Sequence, residues 1–119
     1  LDESKTALVG FSQGTMMALQ VGLRRARPLA GIVGFSGMLA GPDVLKDEIM
    51  SRPPVLLAHG DSDEMLPHAL TEQAAEILKQ NGIAVGVHIA PSVGHGIDQT
   101  GLSHAARFLI EAFKLPVPK

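Results

Sequence analysis

The sequence lacks cysteine, tryptophan and tyrosine, and aromatic residues make up only 3% of its 119 residues. Without cysteine the chain forms no disulfide and performs no thiol chemistry, which fits a cytoplasmic protein. So few aromatic side chains leave no stacking platform for nucleic-acid bases. A formal net charge of −2 and a pI near 6.2 also argue against binding to a phosphate backbone. We therefore expect no nucleic-acid partner.

Long apolar runs are also absent from the sequence. No stretch reaches the roughly 18 residues expected of a membrane span, and no segment resembles a signal peptide. We therefore expect no stable membrane insertion. The hydrophobic content of 45% is ordinary for a globular α/β protein. Because no low-complexity linker or internal repeat divides the chain, residues 1–119 are expected to form one compact unit.

Strand patterns and helix patterns alternate along the chain. The predicted strands cover residues 6–9, 29–35, 55–59 and 85–90. The predicted helices cover residues 15–25, 42–49, 67–80 and 102–114. Two arginines are expected to end the first of these helices, and an Asn-Gly pair is expected to cap the third. Alternation of this kind predicts a parallel sheet with flanking helices, so the fold class is α/β.

The pentapeptide Gly10-Phe11-Ser12-Gln13-Gly14 is the most informative segment and has the pattern G-x-S-x-G. It joins the first predicted strand to the first predicted helix. A sharp strand-to-helix turn at this point holds the serine in a strained conformation and exposes its hydroxyl. The glycines are expected to avoid collisions between a Cβ atom and the neighbouring strand and helix. The context predicts that Ser12 is a nucleophile.

A serine nucleophile needs a base, and the base needs an acid to orient it. In α/β-hydrolases the order along the chain is Ser, Asp or Glu, then His. Asp61 and Asp63 both lie in the turn that follows the strand at 55–59, and either could be the acid. His95 lies between two glycines in the loop after the strand at 85–90, and we predict that it is the base. The glycines are expected to keep the backbone from crowding the imidazole.

Three segments of the sequence resemble signature blocks of one family. They are Gly10-Phe11-Ser12-Gln13-Gly14, His59-Gly60-Asp61-Ser62-Asp63 with Met65-Leu66-Pro67, and Gly94-His95-Gly96-Ile97-Asp98. They look like the blocks of the phospholipase/carboxylesterase family, which includes the acyl-protein thioesterases and belongs to the α/β-hydrolase superfamily. The resemblance implies a serine esterase in which Ser12 is the nucleophile, Asp63 the acid and His95 the base. It also implies that Ser36-Gly37 helps to shape the pocket floor.

The resemblance covers only the C-terminal half of such a domain. We therefore expect about four parallel strands with flanking helices, and an absent N-terminal half that would supply one oxyanion-hole donor. The backbone N–H of Gln13 is the donor expected from this chain. The strand at 6–9 should expose an unpaired edge. That edge is expected to pair with a second copy, giving a homodimer, or with the missing half. A start at Leu1 rather than Met fits a fragment.

The remaining candidates concern the pocket and the histidines. Met38 and Leu66 are candidates for the substrate pocket, whereas Met16 and Met17 fit core filling better. No pair of histidines has the spacing H-x-x-x-H or H-E-x-x-H, so we expect no metal site. His59 is expected to brace the turn beside the acid, His88 to be a hydrogen-bonded structural residue, and His104 to lie on the surface. Asp98 is expected to cap the last helix.

The predicted reaction is hydrolysis of a carboxylic ester or thioester through an acyl-enzyme, and it requires no cofactor. One alternative is a catalytically inactive hydrolase half that self-associates or provides a binding surface. Another is a different hydrolase, such as a dienelactone-type lactonase or a serine peptidase. The lactonase family ordinarily has cysteine as its nucleophile, and peptidases of this fold have an additional domain. The sequence shows neither feature.

Overall fold

Four parallel strands form the sheet of this protein in a computed structural model that describes residues 2–41, 43 and 45–113. The strands are β1 (Ala7–Phe11), β2 (Gly31–Phe35), β3 (Val55–Gly60) and β4 (Val85–Ala90). They lie side by side in the order β1-β2-β3-β4. The predicted α/β class is therefore confirmed, as is the parallel sheet of about four strands.

The register of the sheet brings the carboxyl ends of the strands together. Phe11 pairs with Phe35 at the ends of β1 and β2, and Gly60 pairs with Ala90 at the ends of β3 and β4. The loops that follow these ends carry the predicted nucleophile, acid and base. Open parallel sheets place their functional sites at this edge.

The helices are α1 (Gln13–Gly22), α2 (Leu45–Glu48), α3 (Ala69–Gln80) and α4 (Gln99–Ala112), and a short 3₁₀ turn covers Glu3–Lys5. The core has two layers because side chains alternate along the strands. On one face of the sheet, Ile32 and Leu57 pack with residues of α1 and α3, including Leu19 and Leu78. On the other face, the core cluster joins strand residues to α4; it contains Val33, Phe35, Leu56, Ala58 and Ala105.

Several helix boundaries differ from the prediction. α1 begins at Gln13 rather than at residue 15, α2 ends at Glu48 rather than at residue 49, and α3 begins at Ala69 rather than at residue 67. α1 ends at Gly22, so the arginines do not occupy its last turn. Glycine is a poor helix former, and a Cβ at this position would overlap the Ile32 side chain at 2.5 Å. The Arg24 side chain still reaches the helix end, where it donates to the Gln20 carbonyl at 3.2 Å. α4 begins at Gln99, three residues earlier than predicted.

The predicted caps are present. The Asp98 carboxylate accepts a hydrogen bond from the Gly101 N–H at 2.9 Å, which is the N-cap interaction expected for α4. Asn81 is the C-cap residue of α3, and Gly82 follows with φ of 78°. Parts of two predicted helices, at Pro42, Val44 and Lys114, lie outside the described residues.

β1 is an edge strand, as predicted from the sequence. Its Val9 side chain is 58% exposed and Phe11 is 40% exposed, and the adjoining α1 exposes Met17 and Val21. An apolar edge of this kind presents unpaired backbone groups that can accept another strand. Within the described part of the chain, no helix has both the length and the apolarity needed to cross a membrane.

Candidate active site

Ser12 lies at a strained turn between β1 and α1. Its backbone angles are φ 56° and ψ −116°, a conformation that costs a non-glycine residue free energy. The Ser12 N–H donates to the Phe35 carbonyl at 2.8 Å, which ties the turn to the end of β2. A Cβ at Gly10 would overlap the backbone of Gly14 and Thr15. The turn expected from the pentapeptide is therefore present, and Gly10 is needed for it.

The second glycine of the pentapeptide has a different environment from the one expected. A Cβ at Gly14 would meet no heavy atom within 4 Å among the described residues. The prediction that a Cβ atom at Gly14 would collide with its neighbours is therefore wrong. The next residue has the packing role instead, because the buried Thr15 hydroxyl donates to the Phe35 carbonyl at 2.8 Å. A Cβ at Gly37 would also overlap the Thr15 side chain. Thr15 thus fixes α1 against the loop after β2.

Asp63 follows β3, and its side chain is fully buried. Its Oδ1 accepts hydrogen bonds from the Met65 N–H at 2.9 Å and the Leu66 N–H at 2.8 Å. Its Oδ2 lies 2.7 Å from Nδ1 of His95. Burial acts to raise the pKa of the Asp63 carboxyl, but the hydrogen bonds from Leu66, His95 and Met65 together outweigh it and lower the pKa. The carboxylate is therefore ionised near neutral pH.

Asp61, the other candidate acid, has different partners. It is exposed, and its Oδ1 accepts hydrogen bonds from the Ser92 N–H at 2.8 Å and from the Ser62 hydroxyl at 3.1 Å. These contacts join the loop after β3 to the loop after β4. The structure therefore separates two residues that the local sequence left equivalent: Asp63 meets His95, whereas Asp61 holds the loop.

His95 completes a hydrogen-bonded chain across the ends of the strands. Its Nε2 lies 3.1 Å from the Ser12 hydroxyl while its Nδ1 faces Asp63. The ring also packs against Phe11, with centroids 4.9 Å apart and planes tilted by 48°. Phe11 occupies a variable position of the pentapeptide, so sequence reasoning assigned it no role. The structure brings together Ser12, His95 and Asp63, which lie far apart in the chain.

The loop that carries His95 is held by its neighbours. The Ser62 N–H donates to the Val93 carbonyl at 2.9 Å, and the Ser36 hydroxyl donates to the Gly96 carbonyl at 3.2 Å. Ser36 is fully buried and has φ of 51°. The expected steric need for glycine beside His95 is not found. Among the described residues, a Cβ at Gly96 meets nothing within 4 Å, and one at Gly94 makes only an ordinary contact at 3.9 Å.

A cavity of about 240 Å³ lies beside Ser12. Its lining residues are Ser12, Gln13, Met16, Met65, Leu66 and His95. Leu66 was predicted for this role, whereas Met16 was predicted to fill the core and Met65 was not singled out. Met38 lines a separate cavity of about 130 Å³ between the loop after β2 and α3. The helical position of Met16 favoured core filling, whereas in the structure it lines the cavity together with Met65 and Leu66.

Gln13 is the first residue of α1, directly after Ser12. The first N–H groups of a helix have no acceptor within the helix, and the helix dipole favours negative charge near them. Gln13 also lines the cavity beside Ser12, so its N–H is this chain's candidate for binding a ligand oxygen there. This is the location that an oxyanion donor from this chain requires.

Two other histidines also differ in their surroundings. His88 was expected to be hydrogen-bonded, yet its buried Nε2 has no such partner among the described residues. Its ring packs against the exposed His104, with centroids 4.6 Å apart. The prediction for His104 is confirmed, and that for His88 is wrong. Oδ1 of Asp98 lies 3.8 Å from this nitrogen, too far for a hydrogen bond, and accepts from the Gly101 N–H.

The parallel sheet, with its sharp strand-to-helix turn at a serine, has the architecture of an α/β-hydrolase fold. The phospholipase/carboxylesterase family matches residues 1–112, so the chain belongs to that family. The family resemblance that the three sequence segments indicated is thereby confirmed.

Individual relatives agree with this assignment. Acyl-protein thioesterase 1 of Aspergillus fumigatus is 32% identical over 112 residues, which are 89% of this chain and 46% of that protein. Acyl-protein thioesterase 1 of Neurospora crassa is 34% identical over 107 residues, which are 86% of this chain and 44% of that protein. The crystal structure of esterase PE8 superimposes with a TM-score of 0.92 at 48% identity, covering 94% of this chain and 52% of that one. The chain spans about half the length of these relatives.

Proposed function

We propose that Ser12, Asp63 and His95 form the catalytic triad of a serine hydrolase that cleaves carboxylic ester or thioester bonds. The observation that carries the proposal is the unbroken chain of hydrogen bonds from the Ser12 hydroxyl through His95 to Asp63, at 3.1 Å and 2.7 Å. The strained backbone at Ser12 and the cavity beside it provide further support. Relatives named as esterases and thioesterases fit the same bond class.

The proposed reaction has two halves. The Ser12 oxygen attacks the acyl carbonyl while its proton moves to Nε2 of His95, and that proton then passes to the departing alcohol or thiol. A water molecule repeats the sequence on the acyl-enzyme and releases the acid. Asp63 holds the imidazole with Nδ1 protonated and stabilises the imidazolium that forms. No cofactor enters these steps.

The oxyanion formed at the acyl carbon needs hydrogen-bond donors. The Gln13 N–H supplies one, and we assign the second to a segment outside this chain. Loss of one such donor costs on the order of 3–4 kcal/mol of transition-state stabilisation, or 10²–10³ in rate. We use the term parent polypeptide for the product of the full reading frame that encodes residues 1–119. The 119-residue chain alone is therefore expected to turn over substrate far more slowly than the parent polypeptide.

The lining of the cavity favours an apolar acyl group. Met16, Met65 and Leu66 line the cavity together with Ser12, Gln13 and His95. Methionine side chains are flexible and polarisable, so they adapt to chains of differing shape. A panel of p-nitrophenyl esters of increasing length, with matched thioesters, lactones and peptides, tests this assignment. Faster turnover of peptides or lactones than of esters and thioesters would contradict it.

A second candidate function is an inactive half that binds through its open edge. The exposed apolar residues of β1 and α1 favour it, since they offer a surface for a second copy or for the segment that would complete the sheet. Sedimentation of the 119-residue chain, with and without the remainder of the parent polypeptide, distinguishes a homodimer from completion of one sheet. The cytoplasmic location predicted from the absence of cysteine stays a prediction.

Labelling by a fluorophosphonate separates the two candidates. The triad proposal predicts that the probe modifies Ser12 in the parent polypeptide, and that Ser12→Ala lowers p-nitrophenyl ester turnover by about 10⁴ or more. Ser103→Ala is a matched control because Ser103 lies exposed on α4, where its hydroxyl, within the described part of the chain, bonds only to the Gln99 carbonyl. Labelling that persists in Ser12→Ala, or turnover that is unchanged, would exclude Ser12 as the nucleophile.

A further inference from the structure

His59 has a hydrogen-bonding environment that its proposed bracing role does not explain. The side chain lies near the end of β3 and has no exposed surface. Its Nε2 is 2.7 Å from the Leu66 carbonyl and 3.1 Å from Oδ2 of Asp63. Its Nδ1 is 2.7 Å from the Thr71 hydroxyl, on the first turn of α3. Both ring nitrogens of this buried imidazole have hydrogen-bond partners, so the surrounding residues favour histidine at this position.

The partners determine which nitrogen carries the proton. A carbonyl oxygen only accepts hydrogen bonds, so Nε2 of His59 must be the donor to the Leu66 carbonyl, and the same nitrogen lies against the Asp63 carboxylate at 3.1 Å. The Thr71 hydroxyl can donate, and its other acceptor, the Gly37 carbonyl, is distant at 3.4 Å. Thr71 therefore donates to Nδ1. The neutral tautomer protonated at Nε2 satisfies all of these groups, and it leaves Asp63 with a single cationic partner when His95 becomes protonated.

We propose that His59 is a positioning residue of the active site: its Nε2–H holds the Leu66 carbonyl, and so fixes the residue whose own N–H binds Oδ1 of Asp63, while Nε2 lies against Oδ2. The inference rests on the proposed catalytic role of Ser12, His95 and Asp63. Two backbone N–H groups hold Oδ1 of the carboxylate, and His95 binds Oδ2. The carboxylate is thus fixed at both oxygens, and rotation about its Cβ–Cγ bond would break several hydrogen bonds at once.

The fixed carboxylate matters because Oδ2 sets the direction of the His95 ring. The bond from Oδ2 to Nδ1 determines where Nε2 points toward the Ser12 hydroxyl. A displacement of about 1 Å in a reacting group can cost on the order of 10²-fold in rate. Because His59 does not line the cavity beside Ser12, its loss should lower kcat while leaving KM little changed.

Two substitutions of similar size and polarity isolate the contacts of Nε2. In His59→Gln the carboxamide nitrogen reaches the position of Nε2 and can donate to the Leu66 carbonyl beside Asp63. In His59→Asn the carboxamide ends near the position of Nδ1, where it can still meet Thr71 but neither the Leu66 carbonyl nor Asp63. In the parent polypeptide we expect His59→Asn to lower kcat by roughly 10- to 100-fold with KM within about twofold. We expect His59→Gln to stay within about threefold of the original kcat.

Nuclear magnetic resonance of ¹⁵N-labelled histidine supplies a measurement that does not depend on activity. The proposal predicts a neutral His59 protonated at Nε2, and a change in the His95 Nδ1–H resonance in His59→Asn but not in His59→Gln. A His59 protonated at Nδ1 alone would overturn it. So would an unchanged kcat in His59→Asn, or equal losses in the two variants with unaltered melting temperatures.

The outcomes also separate this inference from the proposed function. If Ser12 of the parent polypeptide neither labels nor supports turnover, the proposed function fails and the role of His59 fails with it. If the parent is active and His59→Asn is as fast, only the role of His59 fails. If His59→Asn does not fold, the kcat of a folded His59→Gln decides the question. A kcat near the original value supports the role of His59, and a loss of about 30-fold contradicts it.

Discussion

Replacement of Gly60 by alanine tests how closely the loop that carries His95 is fitted to the sheet. Gly60 is the last residue of β3, and a Cβ there would overlap the backbone of Val93 and Gly94. The overlap involves carbonyl atoms rather than the end of a flexible side chain, so the loop must move. A shift on the order of 1 Å is needed to restore an ordinary carbon–oxygen contact.

The expected magnitude follows from that geometry. Overpacking of a well-fitted site typically costs about 1–3 kcal/mol of folding free energy. The shift also strains the bond from the Ser62 N–H to the Val93 carbonyl, which is 2.9 Å long. Because the displaced loop carries His95, we expect kcat for a p-nitrophenyl ester to fall by on the order of 10²-fold. The melting temperature should fall by several degrees.

Gly96→Ala is the matched control for this measurement. It adds the same methyl group in the residue after His95, where a Cβ meets nothing within 4 Å among the described residues. Both variants are assayed in the parent polypeptide for ester turnover and thermal unfolding. We expect Gly96→Ala to keep turnover within a few-fold of the original. If Gly60→Ala retains the original kcat and melting temperature, or if the two variants lose equally, the steric reasoning is refuted.

Three further predictions concern the acid, the loop and the turn. Asp63→Asn should lower kcat by about 10⁴. Because folding lowers the pKa of Asp63, the ionised carboxylate contributes fully to stability above about pH 4, the usual carboxyl range, and this contribution is lost as pH falls through the lowered pKa. The variant lacks this contribution, so its acid-unfolding profile should be flatter. An Asp63→Asn profile as steep as the original contradicts this. Asp61→Ala removes the acceptor of the Ser92 N–H and should lower kcat roughly 10-fold without moving the acid limb of the pH–rate profile. A loss of kcat equal to that of Asp63→Asn would reverse the two assignments. Thr15→Val removes the buried bond to the Phe35 carbonyl and should cost about 1–2 kcal/mol in urea unfolding, whereas no loss would show the bond to be dispensable.

Much of the fold could be predicted because its signals are local. The apolar runs gave all four strands within a few residues. β2 and β3 are buried along their whole length, as a continuous apolar sequence predicts. The turn at Ser12 could be predicted because glycine and serine preferences act between adjacent residues. Boundaries were less certain. α1 ends at Gly22, where a Cβ would overlap the Ile32 side chain, and no pattern within the helix reports that neighbour.

The sequence by itself determined the α/β class, the strained turn, and the order in which the candidate nucleophile, acid and base occur. Each of these follows from short local patterns or from their order along the chain. The local pattern left Asp61 and Asp63 open, and the family resemblance favoured Asp63. Only the tertiary structure showed that Asp63 contacts His95, that Asp61 contacts Ser92 instead, and that His59 lies against the Asp63 carboxylate. The physical reason is that these contacts depend on the direction of each side chain in its folded loop: Asp61 and Ser92 are 31 residues apart, and Asp63 and His95 are 32 apart. One backbone turn redirects a side chain, and no local pattern reports that direction.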